Sequence, residues 1–312
     1  MTQSARRRQT QATGPKQKAA AAPQRKAAAA PQRKAAAAPQ RKAAAAPQRK
    51  AAAASKQPAV GLTGQQLGEF LALIRDADSV ELKLSIPEAA RRSAVAALDM
   101  DPLDAQIRQV VFFDTPALTL NQHGLVVRAR RIQGKPGDSV VKLRPVIPNQ
   151  LPAALRRSPG FGVEVDAMPG GFVCSASMKA ELDPARAKDG LSGLLPTRKL
   201  FTKEQRSFFA THAPDGLELD GLAMLGPVAV FKLKFKPVGY DRRLVAELWN
   251  YPDGTRILEL STKCAPADTF TVAAETRAFL AGRGIDILGE QQTKTRTALE
   301  FFAKELTADN GG

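Results

Sequence analysis

The chain predicts an α+β fold built on a closed antiparallel eight-stranded β-barrel, with a charged lumen, helices packed outside, and a disordered basic arm in front. Three observations lead there: a repeated alternation of charge with oil, enough such strands to close a barrel, and few helices among them. Glu81 and Lys83 alternate with Val80, Leu82 and Leu84; Arg128 and Arg130 with Val127 and Ala129; Lys142 and Arg144 with Val141 and Leu143. The same holds for Lys232, Lys234 and Lys236 among Phe231, Leu233 and Phe235, and for Glu259 and Lys263 beside Leu258 and Leu260. Strand side chains repeat every two residues, so each segment carries its ions on one face. A strand ordinarily turns its polar face to water. Here that face is Arg and Lys at alternate sites, with Glu in the first and last strands, which predicts an inverted barrel: ions inside, oil outside under helices. Such ions would form a pocket for a polyanion.

In chain order, Thr63 with Gln66 reads as a capping box opening a helix to about Arg75. Strand Ser79–Ile86 is ended by Pro87, which suits the first turn of a helix reaching about Leu98. Strands Gln109–Asp114, Leu125–Ile132 and Ser139–Arg144 follow, the last two joined by a turn at Gly134-Lys135-Pro136-Gly137. Gly162–Ala167 is a further strand, Pro184–Leu195 and Lys203–Ala210 are short helices, and Val228–Pro237 is a strand. Leu244–Trp249 and Thr255–Lys263 make a hairpin around Tyr251-Pro252-Asp253-Gly254, and helices near Asp268–Gly282 and Thr293–Leu306 close the chain.

The net charge of +16 belongs almost wholly to the head. Of 46 Lys and Arg, 14 precede Gln57 without a single acid, leaving 32 basic against 30 acidic residues in the rest. The domains expected are an arm at 1–58 and one folded unit at 59–308. The arm repeats AAAAPQRK, with Pro23, Pro31, Pro39 and Pro47 cutting the alanine blocks. A proline in a helix interior costs about 3 kcal/mol, and no large apolar side chain is present to offset the entropy of ordering. Its regular Arg-Lys pairs suit a regular polyanion, nucleic acid included, by counterion release; a solubilising spacer is the blander reading.

Other chemistries find little support. Cys174 and Cys264 are too few for a disulfide framework and lack zinc spacing, so a reduced, cytoplasmic setting is expected. No apolar run approaches the roughly 18 residues of a membrane span. Pro169-Gly170-Gly171 has no Lys-Ser/Thr after it and is no P-loop. His123 and His212 are far apart in sequence, and His123 reads as a loop residue.

Val80-Glu81-Leu82-Lys83, the stretch Phe113-Asp114-Thr115-Pro116, Gly124-Leu125-Val126-Val127-Arg128-Ala129-Arg130 and Val141-Lys142-Leu143 together resemble the CYTH domain, or triphosphate tunnel metalloenzyme superfamily. Gly162-Val163-Glu164-Val165-Asp166, Ile257-Leu258-Glu259-Leu260 and Thr293-Lys294-Thr295 with Ala298-Leu299 resemble its second half. The resemblance, over about 79–306, implies an eight-stranded antiparallel tunnel with opposed basic and acidic walls, a divalent metal, and a triphosphate-containing substrate. Its members include inorganic, thiamine and RNA triphosphatases and class IV adenylate cyclases. Arg128 and Arg130 match its basic pair, Lys142 the next basic site, and Glu164 and Asp166 its fourth-strand acids. Ser79 stands where its first acid would be, and Ile257 and Ser261 flank Glu259.

Mg²⁺ or Mn²⁺ would then be held by Glu81 and Glu259, with Glu164 and Asp166 as further metal candidates. Lys83, Arg128, Arg130, Lys142, Lys232 and Lys234 would clamp phosphate oxygens, while Glu81, Lys83 and Glu259 carry catalysis. Arg144 and Lys236, at strand ends, read as solvated rim. The expected partner is triphosphate or polyphosphate, with nucleic acid a further partner for residues 1–56 and no membrane. Hydrolysis leads, with adenylate cyclisation second and a non-catalytic polyphosphate or nucleic-acid binder as the alternative.

Overall fold

The computed structural model describes residues 62–286, 291 and 293–309, so the expected arm lies outside the described residues. In chain order the elements are α1 (Gly64–Arg75), β1 (Ser79–Ile86), α2 (Arg91–Ala97), β2 (Gln106–Asp114), α3 (Thr119–Gln122), β3 (Leu125–Ile132), β4 (Lys135–Leu143) and α4 (Ala153–Arg156). They continue as β5 (Phe161–Met168), β6 (Gly171–Leu182), α5 (Pro184–Leu191), α6 (Lys203–His212), β7 (Ala223–Phe235), β8 (Leu244–Asn250), β9 (Arg256–Cys264), α7 (Thr269–Gly282) and α8 (Lys294–Asp309). The strands close into a barrel in the order β1-β5-β6-β4-β3-β2-β7-β8-β9.

Two expectations are corrected. The barrel has nine strands among the described residues, not eight, and it is mixed, because β1 pairs with β5 in parallel. The additional strand is β6: its inward positions carry Ser175 and Ser177 and then Lys179 and Glu181, so charge alternates only toward its far end. Strand β4 also begins earlier than expected, at Lys135, and the reversal is made at Gly134, whose φ of +66° favours glycine. Gly137 is strand, where an added Cβ would fall 2.2 Å from the Arg130 carbonyl oxygen.

Local chemistry fixes the outer helices. Thr63 Oγ1 accepts from the Gln66 amide at 3.2 Å, and Gln66 Oε1 from the Thr63 amide at 2.9 Å, which is the expected capping box. Thr202 and Gln205 repeat it on α6. Gln205, fully buried, also donates to the Ser139 and Met178 carbonyls at 2.9 and 3.1 Å, tying α6 to β4 and β6. Asp114 of the Phe113-Asp114-Thr115-Pro116 stretch accepts from the amides of Thr115, Leu120 and Asn121 at 2.7–3.0 Å, so it organises the start of α3.

Oil and charge separate by face. Val80, Val111, Phe113, Val127, Val141 and Val165 point outward and pack with Phe70, Phe208 and Phe209 of α1 and α6. Leu84, Leu244, Leu258 and Leu260 pack outward with Leu98 and with Leu280 of α7. The inverted barrel is therefore the observed arrangement, with one difference from a wholly charged lumen under external helices. Val110, Phe112, Val126, Val228, Trp249 and Ile257 share the inward face with the ions and bury Ala298, Leu299 and Phe302. Helix α8 thus fills one part of the lumen instead of lying outside it.

Candidate functional site

The strand register sets three groups of charge on the inward face. In the first, parallel pairing places Glu81 beside Asp166 and Ser79 beside Glu164. Carboxylate oxygens of Glu81, Glu164 and Asp166 lie within 4.8 Å of one another. Lys83 Nζ sits 2.8 Å from Asp166 and 3.2 Å from Glu81, Lys142 Nζ sits 3.4 Å from Asp166, and Lys263 pairs with Glu164. Burial alone would raise the Asp166 carboxyl, but Lys83 and Lys142 hold it well below the usual carboxylate range. Burial and Lys83 act on Glu81 in the same opposed way, and the outcome is again a lowered value. For Lys83 burial works downward, yet Asp166 and Glu81 prevail and raise it. Lys142 goes the other way: burial outweighs Asp166 and lowers its ammonium.

The second group is basic. Arg130 Nε and Nη2 donate to the two oxygens of Asp138, its cross-strand neighbour, at 2.7 and 2.6 Å. Lys179 Nζ lies 3.7 Å from Asp138. Arg128 and Arg108 each bury an Nε that has no hydrogen-bond partner. Burial and the neighbouring Arg130 push both guanidinium pKa values down, although a guanidinium keeps its charge at neutral pH.

The third group lies against α8. Lys294, its first residue, pairs with Glu247 and reaches Glu259 at 2.7 Å, with its ammonium 5.4 Å from the Trp249 ring centre. Lys232 Nζ reaches Glu247 at 2.7 Å, and Trp249 Nε1 donates to the same carboxylate at 3.3 Å. Burial would raise Glu247, but Lys294 and Lys232 keep it well below its ordinary value. Burial lowers Lys232 despite Glu247.

The sequence candidates therefore divide. Glu81, Glu164, Asp166, Lys83 and Lys142 come together; Arg128 and Arg130 line the basic group; Lys232 and Glu259 belong to the α8 group, where Glu259 is engaged by Lys294. Lys234 shares the inward register of Lys232 but is exposed. Lys236 is exposed, 3.8 Å from Asp241, as a rim residue would be, whereas Arg144 is half-buried. His123 is exposed in its loop, and both cysteines are buried and free. Asp138, Glu247 and Arg108 escaped sequence reasoning: Asp138 lay between the expected turn at 134–137 and the strand expected from Ser139, and the other two gain meaning only from their neighbours' register.

The fit to a divalent metal rests on the first group: three carboxylates supply oxygen donors alone, the preference of Mg²⁺ and Mn²⁺. The ammonium groups of Lys83 and Lys263 compensate those carboxylates in the structure.

No protein-family model matches the sequence, and no curated protein matches it. Among solved structures, a candidate adenylyl cyclase from Hippeastrum, described as revealing a dominant triphosphatase activity, superposes with a TM-score of 0.53 at 17% identity over 70% of this chain and 93% of that one. The chain has the triphosphate tunnel, or CYTH, fold. A candidate adenylate cyclase from Bacillus halodurans gives a TM-score of 0.49 at 12% identity, over 70% of this chain and 97% of that one. At these identities the likeness is one of fold. No described helix is long and apolar enough to cross a membrane.

Proposed function

We propose that the tunnel binds a triphosphate-containing anion together with Mg²⁺ or Mn²⁺ and hydrolyses its terminal anhydride. The observation that carries the reading is the carboxylate triad of Glu81, Glu164 and Asp166, set in the same lumen as Lys83, Lys142 and half-buried Arg128, whose Nε is buried without a partner. Like charges about 4 Å apart repel by roughly 4 kcal/mol at an effective dielectric near 20, so convergent cations are costly unless something anionic meets them. Carboxylates meet most of them; Arg128 and Arg108 retain unpartnered donors.

In this reading Glu81, Glu164 and Asp166 would hold the metal, which would supply Lewis-acid stabilisation of charge on the phosphate oxygens. Lys83 and Lys142 stand beside that site and neutralise the phosphoryl group during transfer, while Arg128 offers forked donors further along the chain of phosphates. Glu81, flanked by Lys83 and ionised at neutral pH, would orient the attacking water by accepting a hydrogen bond from it. Glu259, held by Lys294, serves the shape of the lumen more than the chemistry.

Cyclisation of a nucleotide is the less supported outcome. The inward aromatic side chains Phe112 and Trp249 are packed with α8 residues, leaving those rings covered where a base would need one free. The test is a panel of tripolyphosphate and nucleoside triphosphates with Mg²⁺ or Mn²⁺ and identification of products. Orthophosphate release supports hydrolysis, a cyclic nucleotide supports cyclisation, and no turnover with any triphosphate counts against both.

A further inference from the structure

We infer that Asp138 divides the basic pair of β3, holding Arg130 as a structural cation and leaving Arg128 as the guanidinium that receives the anion. The inference rests on the proposed anion-binding role of the lumen and assigns different tasks to two residues that the sequence makes look equivalent. The register creates the difference. Arg130 stands opposite Asp138 on β4, whereas Arg128 stands between Val140 on β4 and Phe112 on β2.

The consequences are visible in the hydrogen bonds. Nε and Nη2 of Arg130, one edge of its guanidinium, are engaged by Asp138 at 2.7 and 2.6 Å, inside a site where Asp138 is 5% exposed. A bidentate, charge-assisted pair of this kind is hard to open, because parting it strands a buried carboxylate. The Arg128 side chain makes no ion pair or hydrogen bond among the described residues, and its buried Nε lacks an acceptor. A buried guanidinium without an acceptor is costly unless a ligand supplies one. Arg108, on the inward face of β2, likewise has an unpartnered buried Nε, with one Nη on Gln106 at 2.7 Å.

Asp138 therefore has a second effect. By neutralising Arg130 and standing near Lys179, it removes net positive charge from this part of the lumen, which weakens anion binding and favours the geometry of one forked contact over two. It is a positioning and specificity-determining residue in this proposal, one that need not touch the substrate.

The test compares wild type with R128L, with the paired replacement R130L/D138L, and with D138N, titrating each with tripolyphosphate and separately with sulfate, and following folding by circular dichroism. Removing a buried pair together is tolerated far better than removing one partner, so R130L/D138L folds and keeps tripolyphosphate affinity within about threefold. R128L loses about 10- to 100-fold, the scale of lost charged hydrogen bonds. D138N binds several-fold tighter and shifts the ¹⁵N resonance of the Arg130 Nε–H, a signal that a residue merely filling space would leave in place. A paired variant that loses as much affinity as R128L, or an R128L protein that binds as wild type does, overturns the inference. Sulfate binding that depends on Arg128 without any tripolyphosphate binding sinks the triphosphate reading and upholds the division; no anion binding at all overturns the division as well.

Discussion

Several buried ions in the lumen have a pH signature whose sign is set by burial against their neighbours' charge. Asp166, Glu81, Glu247 and Asp138 have carboxyl values lowered in the folded chain. The unfolded state then binds protons first as pH falls, so their stabilisation is present above the unfolded value of about 4 and is lost on acidification through the folded values. Thermal unfolding midpoints should accordingly fall steeply below about pH 4; a flat profile there would contradict the pairing. Lys142 and Lys232 are lowered instead, so they lose their protons below the ordinary lysine value of about 10.4. Tripolyphosphate affinity should therefore weaken in alkali before an ordinary lysine titrates, as calorimetry across that range would record. For the metal, D166N removes a carboxylate of the triad, and Mn²⁺ affinity measured by electron paramagnetic resonance should drop by at least the roughly 10-fold that an outer-shell partner alone costs.

Among the elements, the strands with charge at alternate sites were legible, and their bounds agree with the sequence to within a few residues at most ends. β1 and β3 agree outright, since Ser79–Ile86 and Leu125–Ile132 are bounded by Pro87 and by Gly124 and Gly134. β6 was missed although Cys174, Ala176, Met178, Ala180 and Leu182 alternate with Ser175, Ser177, Lys179 and Glu181, a period-two pattern whose first half carries no charge; the parallel β1–β5 pairing is a long-range fact that no local pattern encodes. Helix α8 was legible as a helix and not as a lumenal one, since its apolar face says only that it packs somewhere. Its position gives a sharp expectation. Removing Lys294 strands Glu259 in a buried setting and leaves Glu247 to Lys232, and K294A should lose about 3–5 kcal/mol in denaturant unfolding. L299A, which leaves a hole between α8 and the lumenal wall, should lose about 2–5 kcal/mol. Loss of under about 0.5 kcal/mol in both, the range of ordinary surface substitutions, would remove α8 from the lumen.

At the scale of the molecule, charge is distributed by function class. The folded unit is close to neutral in sum, and its cations are concentrated by topology, which is why the pI of about 10.1 reports the head and not the tunnel. The site was half legible for the same reason: the sequence names the ions on each strand, while their pairing depends on register, so Asp138 against Arg130 and Glu247 between Lys232 and Lys294 emerge only in three dimensions. Residues 1–56 lie outside the described structure, and their expected role as a polyanion-binding arm is tested by deletion. Binding of long polyphosphate by the full chain should fall with salt and weaken further without the arm; unchanged binding makes the arm a spacer. The account as a whole stands on an anion and a metal meeting inside the barrel. Crystals grown with Mn²⁺ and an imido analogue of tripolyphosphate, read by anomalous scattering at the manganese edge, test that most directly. The account predicts a manganese peak among Glu81, Glu164 and Asp166 with the phosphate chain running toward Arg128; an anion and metal bound only on the outer surface, over an unoccupied lumen, would contradict it.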